Sequence, residues 1–433
     1  MSIKDITCDV LVIGGGAAGL SAANSAASDG ASVFVVEREP ALGGILQQCI
    51  HNGFGLHRFG EELTGPEFAQ RDIDELETHD NISVELNCSA IEIKNLDNGR
   101  HVVTVVGDAL GMAHVDCGAI VLACGCRERT RGQINIAGSR PSGVFTAGTA
   151  QQLINCDGAL VGKNVVILGS GDIGLIMARR MTWEGANVIC VCELMSEPGG
   201  LRRNIVQCLD DYNIPLNLST TVTRVIGKDR LEAVELADVD SSTFKVIEDS
   251  KRIVECDTLL LSVGLIPENS VAETAGVNID RRTAGPSVNQ ELETDVEGIF
   301  VAGNELHVHD LADFVSEEGV AAGHAAAARA LGQESVITGE IEVIAGENIG
   351  SVTPQHICNI EDGVTVRLRV RSKVKGAFIQ FVSGGEVIRQ VRRMVVIPSE
   401  MQTIKLKKNI LEKAQGPIEV RCVSVESVKG GKN

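Results

Sequence analysis

Aromatic side chains are scarce in this 433-residue sequence, at 3% of all residues with one tryptophan and one tyrosine. Hydrophobic residues nonetheless reach 44%, and there are 47 glycines. Small apolar side chains and frequent tight turns are typical of a packed α/β protein and exclude a disordered or fibrous chain. At this length we expect two or three domains rather than a single core.

Basic residues are also few: the sequence contains 39 Lys and Arg and 58 Asp and Glu, which give a formal net charge of -19. A nucleic-acid backbone must be met by clustered basic residues, so the balance argues against a nucleic-acid partner. The deficit is uneven. From Val336 onward there are 15 basic and 10 acidic residues, which leaves 24 and 48 before it.

Long apolar runs and a secretion signal are missing as well. The first seven residues contain no basic segment followed by an apolar run, and no stretch is apolar enough to span a bilayer. The thirteen cysteines are an odd number, which favours reduced thiols over a disulfide framework. We therefore expect a cytoplasmic protein without a transmembrane segment.

Two copies of one βαβ pattern stand about 155 residues apart, each with a strand, a glycine turn, a helix and a second strand that ends on glutamate. The first copy comprises residues 8–12, 14–19, a helix to about 28, 32–36 and Glu37. The second comprises residues 164–168, 169–174, a helix to about 184, 187–192 and Glu193. In such a turn the glycines let the backbone approach a pyrophosphate at the helix N-terminus, and the glutamate accepts hydrogen bonds from a ribose.

Three further apolar segments end in glycine and suit a parallel sheet that is buried on both faces: 119–125, 258–264 and 298–304. An alanine-rich helix is predicted from about 313 to 331. From about residue 337 the texture changes to alternating residues, as in 365–371, which is the period of a half-buried strand. We predict an antiparallel β domain there.

The spacing of Thr294, Gly298, Phe300 and Gly303 resembles the closing motif of the pyridine nucleotide-disulfide oxidoreductase superfamily, in which an NAD(P) domain interrupts an FAD domain. The resemblance covers about residues 8–332. Asn304 stands where the family motif has aspartate; an amide still makes the expected bond to a ribityl hydroxyl.

The resemblance implies an α/β fold with two Rossmann-like dinucleotide-binding domains, the NAD domain inserted in the FAD domain, plus a C-terminal antiparallel β domain. The predicted boundaries are 1–155 and 288–335 for the FAD domain, 156–287 for the NAD(P) domain and 336–433 for the β domain. The predicted FAD contacts are Gly14, Gly16, Ala18, Gly19, Glu37, Arg38, Gly43, Gly44, Gly125, Gly303 and Asn304. The predicted NAD contacts are Gly169, Gly171, Asp172, Ile173, Gly174, Glu193 and Gly264.

Residues 43–51 and 126–132 resemble a narrower group within the superfamily. These are the FAD-dependent dehydrogenases that accompany glycerol-3-phosphate or 2-hydroxyglutarate oxidase-like proteins, distantly similar to the α subunits of sarcosine and opine oxidases. The resemblance implies an oligomer that works with a second flavoprotein.

A dithiol redox pair is not evident in the sequence. Leu46 and His51 hold the places of the pair in the glutathione-reductase branch. Cys156 matches one cysteine of the thioredoxin-reductase branch, but Leu153 holds the other place. One thiol cannot cycle as a dithiol. A thioredoxin-reductase-like disulfide reductase, an NADH oxidase and a nucleotide-sensing module remain the alternatives.

Candidate catalytic residues near the expected flavin are Cys49, His51, Cys126 and His309, each weighed against a structural role. Cys124 is assigned to core packing, and the alternating pair Cys190 and Cys192 to buried thiols on one face of a strand. The segment 307–310 contains two histidines, yet it follows the ribityl-binding strand and precedes a helix whose N-terminus would stabilise reduced flavin. No metal site is predicted.

The nicotinamide cofactor is expected to be NAD, because the Glu193 carboxylate repels the extra phosphate of NADP. Arg202 and Arg203 follow closely and would reverse this preference if they folded back. The expected reaction is hydride transfer between NAD(P)H and FAD. Our hypothesis for its direction is oxidation of the partner flavoprotein with production of NADH.

Overall fold

The computed structural model describes residues 3–333 and 339–425. The chain forms two compact units: Met1–Cys126 with Pro267–Asn433, and the intervening Arg127–Ile266. No helix in the described ranges has the length and apolar character needed to cross a membrane. The functional boundaries predicted at 156 and 288 stay a prediction, and the one predicted between 335 and 336 falls outside the described residues.

The first unit is built on a seven-stranded sheet. Across the sheet the strands run Ile82–Glu85, Val33–Val36, Lys4–Ile13, Gly111–Leu122, His101–Gly107 and Cys88–Asn95, with Ile299–Val301 against the end of Gly111–Leu122. Lys4–Ile13 pairs in parallel with both of its neighbours. All four residues of Val33–Val36 are buried, and the apolar strands pair in parallel as the sequence predicted. The sheet as a whole is mixed, because His101–Gly107 pairs antiparallel with both Gly111–Leu122 and Cys88–Asn95.

The helix Ala17–Ser28 packs against the long helix Ala312–Ala330 beside this sheet. Glycines let them approach closely. A Cβ at Gly319 would lie 2.2 Å from the Ala18 carbonyl oxygen, and a Cβ at Gly323 would lie 2.1 Å from Ser25 Oγ. The small residues of the first helix are thus a packing requirement.

The remaining elements of the first unit outside the C-terminal β region are short or peripheral. They are the helices Gly65–Leu76 and Ser270–Thr274, the 3₁₀ helices Gly44–Gln48 and Gly303–Glu305, and the strands Asn52–Phe54 and Leu63–Thr64. The helix Gly65–Leu76 begins with a capping box between Thr64 and Glu67.

The C-terminal β region contains two sheets that enclose an apolar core of their own. One sheet has the strand order His356–Ile357, Ile341–Ala345, Ile418–Ser424, Val374–Ser383 and Glu386–Val396. The other has the order Ile349–Thr353, Val364–Val370 and Gln402–Leu406, and the short helix Lys408–Leu411 follows it in the chain. The predicted antiparallel character is confirmed, with one exception: Ile341–Ala345 pairs in parallel with Ile418–Ser424.

The second unit has a five-stranded parallel sheet in the order Val144–Thr146, Thr258–Leu261, Asn164–Leu168, Asn187–Cys192 and Leu216–Asn217. Its helices are Ala147–Asn155, Asp172–Trp183 and Arg202–Cys208, with 3₁₀ turns at Asp210–Tyr212 and Glu248–Ser250. A second sheet has the order Ala137–Gly138, Thr220–Gly227, Leu231–Asp238 and Arg252–Glu255. The chain enters this unit within Cys126–Glu128 and leaves it within Leu265–Pro267.

Candidate functional site

The first glycine turn leads from the strand Lys4–Ile13 into the helix Ala17–Ser28. Gly14 has a φ of 106°, and a Cβ there would lie 2.4 Å from the Ala123 carbonyl oxygen. A Cβ at Gly19 would lie 1.8 Å from the Gly14 carbonyl oxygen. At Gly16, by contrast, a Cβ would meet nothing within 4 Å. The turn therefore packs closely against the protein at Gly14 and Gly19 but leaves open space at Gly16, next to the helix N-terminus. A pyrophosphate requires such a space.

Glu37 fixes this turn from the end of the neighbouring strand. It is 5% exposed. Its Oε2 accepts a hydrogen bond from the Gly15 amide at 2.6 Å, and its Oε1 accepts one from the Glu39 amide at 2.8 Å. Two carboxylate oxygens offer about four acceptor positions, so the predicted ribose contact is compatible with both bonds.

A second pair of glycines closes over the turn. The Gly43 amide donates to the Gly15 carbonyl oxygen at 2.8 Å, and a Cβ at Gly44 would lie 3.1 Å from Gly16 Cα. The structure thus brings most of the predicted FAD contacts together: Gly14, Gly16, Ala18, Gly19, Glu37, Gly43, Gly44 and Gly303, the last with its Cβ position 2.9 Å from Ala18 Cβ. Arg38 differs from them, because its side chain is 70% exposed and pairs with Glu39 at 3.6 Å.

Asn304 joins two of the candidate catalytic residues. Its Nδ2 donates to Cys126 Sγ at 3.7 Å, and its Oδ1 accepts from the His309 amide at 3.0 Å. The Gly125 carbonyl oxygen accepts from the Glu268 amide at 3.0 Å in the same region. The Asn304 amide thus acts as donor on one side and acceptor on the other, whereas an ionised aspartate would only accept.

Cys49 and His51 lie on the segment that leaves the Gly43–Gly44 turn. The Cys49 carbonyl oxygen accepts from the Gly65 amide at 2.8 Å, and the His51 ring lies 5.2 Å from the Phe54 ring. Both side chains are half-buried. The structure holds this segment in place, and a role for either side chain in catalysis stays a prediction.

Asp313 lies in the first turn of the long helix and binds the backbone of residues 55–58, which follow His51 in the chain. Its Oδ1 accepts from the His57 and Arg58 amides, both at 3.0 Å, and its Oδ2 from the Gly55 amide at 3.2 Å. The Arg58 guanidinium also pairs with buried Asp72 at 2.6 Å. Sequence reasoning missed the anchoring by Asp313, because this residue lies 255 to 258 positions from the amides that it binds.

Glu305 is a fully buried carboxyl group that sequence reasoning also missed. Its Oε2 accepts from the Cys124 amide at 2.5 Å, and its Oε1 has no hydrogen-bond partner among the described residues. Burial raises the pKa of this carboxyl to about 8, although the hydrogen bond from Cys124 opposes the shift. Burial and the neighbouring Glu305 raise the pKa of the Cys124 thiol well above its usual value. A raised pKa lowers the reactivity of a thiol, and Cys124 packs, partly buried, against the core of the first unit.

The raised pKa of Glu305 predicts a pH-dependent stability. The folded state holds this proton up to about pH 8, whereas the unfolded chain releases it near 4.5. Its contribution is thus fully present at low pH and is lost as the pH rises through this window. We expect Glu305→Gln to lose less Tm than the wild type between pH 5 and pH 9, by about several degrees. Thermal unfolding across this range tests it, with the exposed Glu62→Gln as control; parallel Tm curves for Glu305→Gln and the wild type would contradict it.

His307 and His309 meet Glu318 of the long helix in the interior. The two rings stack with centroids 4.2 Å apart, and their Nε2 atoms lie 3.0 and 3.1 Å from Glu318 Oε1. The other carboxylate oxygen accepts from the Gly303 amide at 3.1 Å. Burial opposes ionisation of Glu318, but His309 and His307 outweigh it and hold the pKa of the carboxyl well below its usual range.

The potential ligand atoms of these three residues lie within 4.8 Å of one another, as in a metal site. Arg367 Nη1, however, lies 3.4 Å from the same Glu318 oxygen and supplies a positive charge. Burial lowers the pKa of His307, although the neighbouring Glu318 opposes the shift. Glu318 thus supports the Gly303 turn through the amide bond, with the Arg367 guanidinium beside it. That no metal binds here stays a prediction.

The second glycine turn repeats the first in detail. Gly169 has a φ of 102°, and a Cβ there would lie 1.9 Å from the Ser262 carbonyl oxygen. The Gly174 amide donates to Ser262 Oγ at 3.1 Å. At Gly171, a Cβ would come no closer than 3.6 Å to any atom. Here too the space before the helix N-terminus is open.

The acidic partner of this turn is Glu193, whose Oε2 accepts from the Ser170 amide at 2.9 Å and from Ser170 Oγ at 2.5 Å. The Asp172 side chain binds the protein itself: its Oδ1 accepts hydrogen bonds from the Leu201 amide and from Asn204 Nδ2. Ile173 packs against the core of the unit. Gly264 follows the strand Thr258–Leu261, and its carbonyl oxygen accepts from the Arg129 amide at 3.0 Å.

Residues 197–200 close over this second turn as Gly43 and Gly44 close over the first. The Gly199 amide donates to Ser170 Oγ at 2.9 Å, where the Gly43 amide donates to the Gly15 carbonyl oxygen. Sequence reasoning missed the correspondence, although both loops contain Glu-Pro followed by Gly-Gly, in residues 39–44 and 197–200. Aligning the two βαβ copies beyond their second glutamate would have found it.

Comparisons with known proteins agree with this geometry. The family model of the pyridine nucleotide-disulphide oxidoreductases matches residues 8–356. A subunit of the opine oxidase of Agrobacterium tumefaciens is 27% identical over 323 residues, 68% of this chain and 61% of that protein. Dihydrolipoyl dehydrogenase of Manduca sexta is 28% identical over 333 residues, 72% of this chain and 66% of that protein. The matches thus span less than two thirds of either relative.

Among solved structures, the thioredoxin reductase of T. acidophilum superposes with a TM-score of 0.60 at 23% identity. The match covers 75% of this chain and 99% of that one. It confirms the predicted fold of two Rossmann-like nucleotide-binding domains.

Proposed function

Because the chain belongs to the pyridine nucleotide-disulphide oxidoreductase family, whose members bind FAD and NAD(P)H, we propose that it transfers hydride between a pyridine nucleotide and FAD. It does so as the electron-transfer component of a cytoplasmic dehydrogenase. A second flavoprotein, which oxidises glycerol 3-phosphate or a hydroxy acid, is its redox partner. The flavin, when bound, supplies a two-electron carrier between the pyridine nucleotide and the partner protein.

The observation that supports this proposal is the duplication of one phosphate-binding turn. Each compact unit has its own glycine turn, open at the helix N-terminus, and its own buried glutamate bound to the backbone of that turn. Two such turns fit two dinucleotides. The family's chain order assigns FAD to the first unit and the pyridine nucleotide to the second.

The residues of the first unit would hold FAD in a fixed place. The Gly14–Gly16 turn and the N-terminus of the helix Ala17–Ser28 would bind the pyrophosphate, Glu37 a ribose hydroxyl, and the Gly303–Asn304 turn the ribityl chain. Glu318 fixes the last of these through the Gly303 amide. Orientation of the two cofactors is then the main contribution of the protein to the rate.

His309 is the residue best suited to hold a proton near this turn. Its side chain is 1% exposed, its Nε2 lies 3.1 Å from Glu318 Oε1, and its Nδ1 has no hydrogen-bond partner among the described residues. Its amide is fixed by Asn304. We therefore keep His309 as the candidate proton donor ahead of Cys49, His51 and Cys126.

The surroundings of the cysteines favour a dehydrogenase over a disulfide reductase. No disulfide joins any of the thirteen cysteines, all of which lie in the described residues. Leu46, at one of the family's redox-cysteine places, is 2% exposed and packs with other apolar residues. Leu153, at the other branch's place, packs against the core of the second unit, while Cys156 is exposed. Cys190 and Cys192 have their Sγ atoms 3.8 Å apart, but both are buried in a sheet.

Two features support the finer assignments. The Glu193 carboxylate would repel the additional phosphate of NADP, and Arg202 and Arg203 are both exposed, so we propose NAD as the cofactor. The similar protein of Agrobacterium tumefaciens is named as one subunit of an opine oxidase, which supports a multi-subunit enzyme.

Anaerobic mixing with NADH is expected to bleach the bound flavin, and NADPH should act about tenfold more slowly or worse. The number of alkylatable thiols should stay the same before and after reduction. On admitting oxygen, peroxide should form slowly, because the proposed redox partners of the flavin are a nucleotide and a protein rather than oxygen.

Each alternative gives a different result. Two additional reactive thiols after NADH would identify a disulfide reductase, and rapid peroxide formation would identify an NADH oxidase. Flavin that stays yellow with both nucleotides would leave only a sensing role and would overturn the proposal. Full reduction by a chemical reductant is the control that the flavin itself is competent.

A further inference from the structure

A small cavity lies against the three-stranded sheet of the C-terminal region. Its volume is about 120 Å³, which is room for about four water molecules at ~30 Å³ each. The polar groups of its wall are mostly cationic or hydroxylic: Arg282, Arg367, Arg369, Thr283, Ser351 and Thr353. The cavity uses none of the residues predicted to hold FAD or NAD.

The sheet itself presents four of these groups on one face. In the antiparallel pair Ile349–Thr353 and Val364–Val370, Ser351 stands opposite Arg369 and Thr353 opposite Arg367. Val366, Leu368 and Val370 alternate with the arginines and are buried in the apolar core. The alternation that identified this strand in the sequence therefore places two guanidinium groups and two hydroxyl groups side by side on a rigid support.

The charges in the wall are only partly balanced. Arg369 pairs with Asp310, and Arg367 lies 3.4 Å from Glu318 and 3.5 Å from Glu317. Arg282 donates to the Ile349 carbonyl oxygen at 3.3 Å, and no carboxylate of the described residues lies within 4.0 Å of its guanidinium. No carboxylate is among the residues that line the cavity, so the polar groups of its described wall are guanidinium groups, hydroxyl groups and the His307 ring.

We propose that this cavity is a binding site for a phosphate group, free or as a monoester. Guanidinium groups bind oxyanions through paired, charge-assisted hydrogen bonds. Arg282 supplies the positive charge that no described carboxylate balances, and the two ion-paired arginines and the hydroxyl groups supply further donors. This number of donors matches the several oxygens of phosphate better than the two oxygens of a carboxylate. The volume accommodates one such group. The inference stands apart from the proposed redox function.

The test is calorimetric titration of the flavin-loaded protein with inorganic phosphate at constant ionic strength. Arg282→Gln removes the one wall arginine without a carboxylate partner among the described residues and should weaken binding about tenfold or more. The matched control is Arg281→Gln, an exposed neighbour that is not part of the wall, and it should bind within twofold of the wild type. Phosphate bound in the cavity should depend on Arg282, whereas phosphate bound at the glycine turns of the dinucleotide sites should not be affected by either variant.

Further titrations define the ligand. A phosphate monoester with a three-carbon tail that binds more tightly than inorganic phosphate, and still requires Arg282, identifies an esterified ligand; the reverse order identifies free phosphate. The proposal fails if the wild type does not bind phosphate, or if the two variants lose binding equally. It also fails if acetate binds as tightly as phosphate. Unchanged Tm values exclude unfolding as the cause of any loss.

Discussion

Replacement of Gly16 by valine is expected to give a folded protein that purifies without flavin. The backbone at Gly16, with φ −81°, is open to any residue, and its Cβ would meet nothing within 4 Å. The valine side chain would instead fill the space before the first helix, where the pyrophosphate is proposed to bind. Loss of two hydrogen bonds to a charged group, at ~1.5–3 kcal/mol each, weakens binding by roughly 100-fold or more.

The measurement is the ratio of flavin absorbance to protein, followed by titration of the apoprotein with FAD. Gly339→Val is the matched control, since Gly339 also has open space at its Cβ position but lies outside the turn. Circular dichroism and Tm show whether the variant is folded. A folded Gly16→Val protein with wild-type flavin content would show that FAD is not held by this turn, and the proposed function would fall with it.

Gly171→Val is expected to weaken the binding of NADH while leaving the binding of FAD unchanged. Its backbone has a φ of −64°, and the nearest atom to a Cβ is Ser262 Oγ at 3.6 Å, an ordinary contact. The protein should therefore fold and remain yellow. The new side chain would occupy the space proposed for the nicotinamide dinucleotide, so reduction by a fixed NADH concentration should slow by about 100-fold, for the same reason as above.

Stopped-flow reduction under anaerobic conditions measures this effect. Reduction of the variant by a chemical reductant should proceed at the wild-type rate, because its flavin site lies in the other compact unit. If Gly171→Val lost its flavin, the assignment of the two turns would be wrong. If NADH still reduced it at the wild-type rate, the pyridine nucleotide would have to bind elsewhere.

Local sequence patterns predicted most of the elements that position these sites. The second βαβ copy has strands Asn164–Leu168 and Asn187–Cys192 as predicted, and its helix ends at Trp183 rather than 184. Both glutamates meet their turns as expected. These features are determined by residues within about 25 positions of one another, where apolar periodicity and glycine spacing are informative.

Contacts between distant segments were not predictable in the same way. Nothing in the sequence around Glu305 indicates that its carboxyl lies against the Cys124 amide, and nothing around Arg367 indicates that it reaches Glu318. The alternating strands of the C-terminal region were recognised, but alternation does not say which strands pair. The parallel pairing of Ile341–Ala345 with Ile418–Ser424 depends on the packed core, which a single sequence does not reveal.

The close packing of Gly319 and Gly323 against the first helix has a consequence for synthesis on the ribosome. The helix Ala17–Ser28 emerges early, but its partner emerges only after the whole of Arg127–Ile266 has been translated. The inserted unit is contiguous and is complete before its host acquires either the strand Ile299–Val301 or the long helix. Domains generally fold as units as they leave the ribosome. The unit Arg127–Ile266 should therefore fold first, before the helix Ala17–Ser28 can pack against Ala312–Ala330.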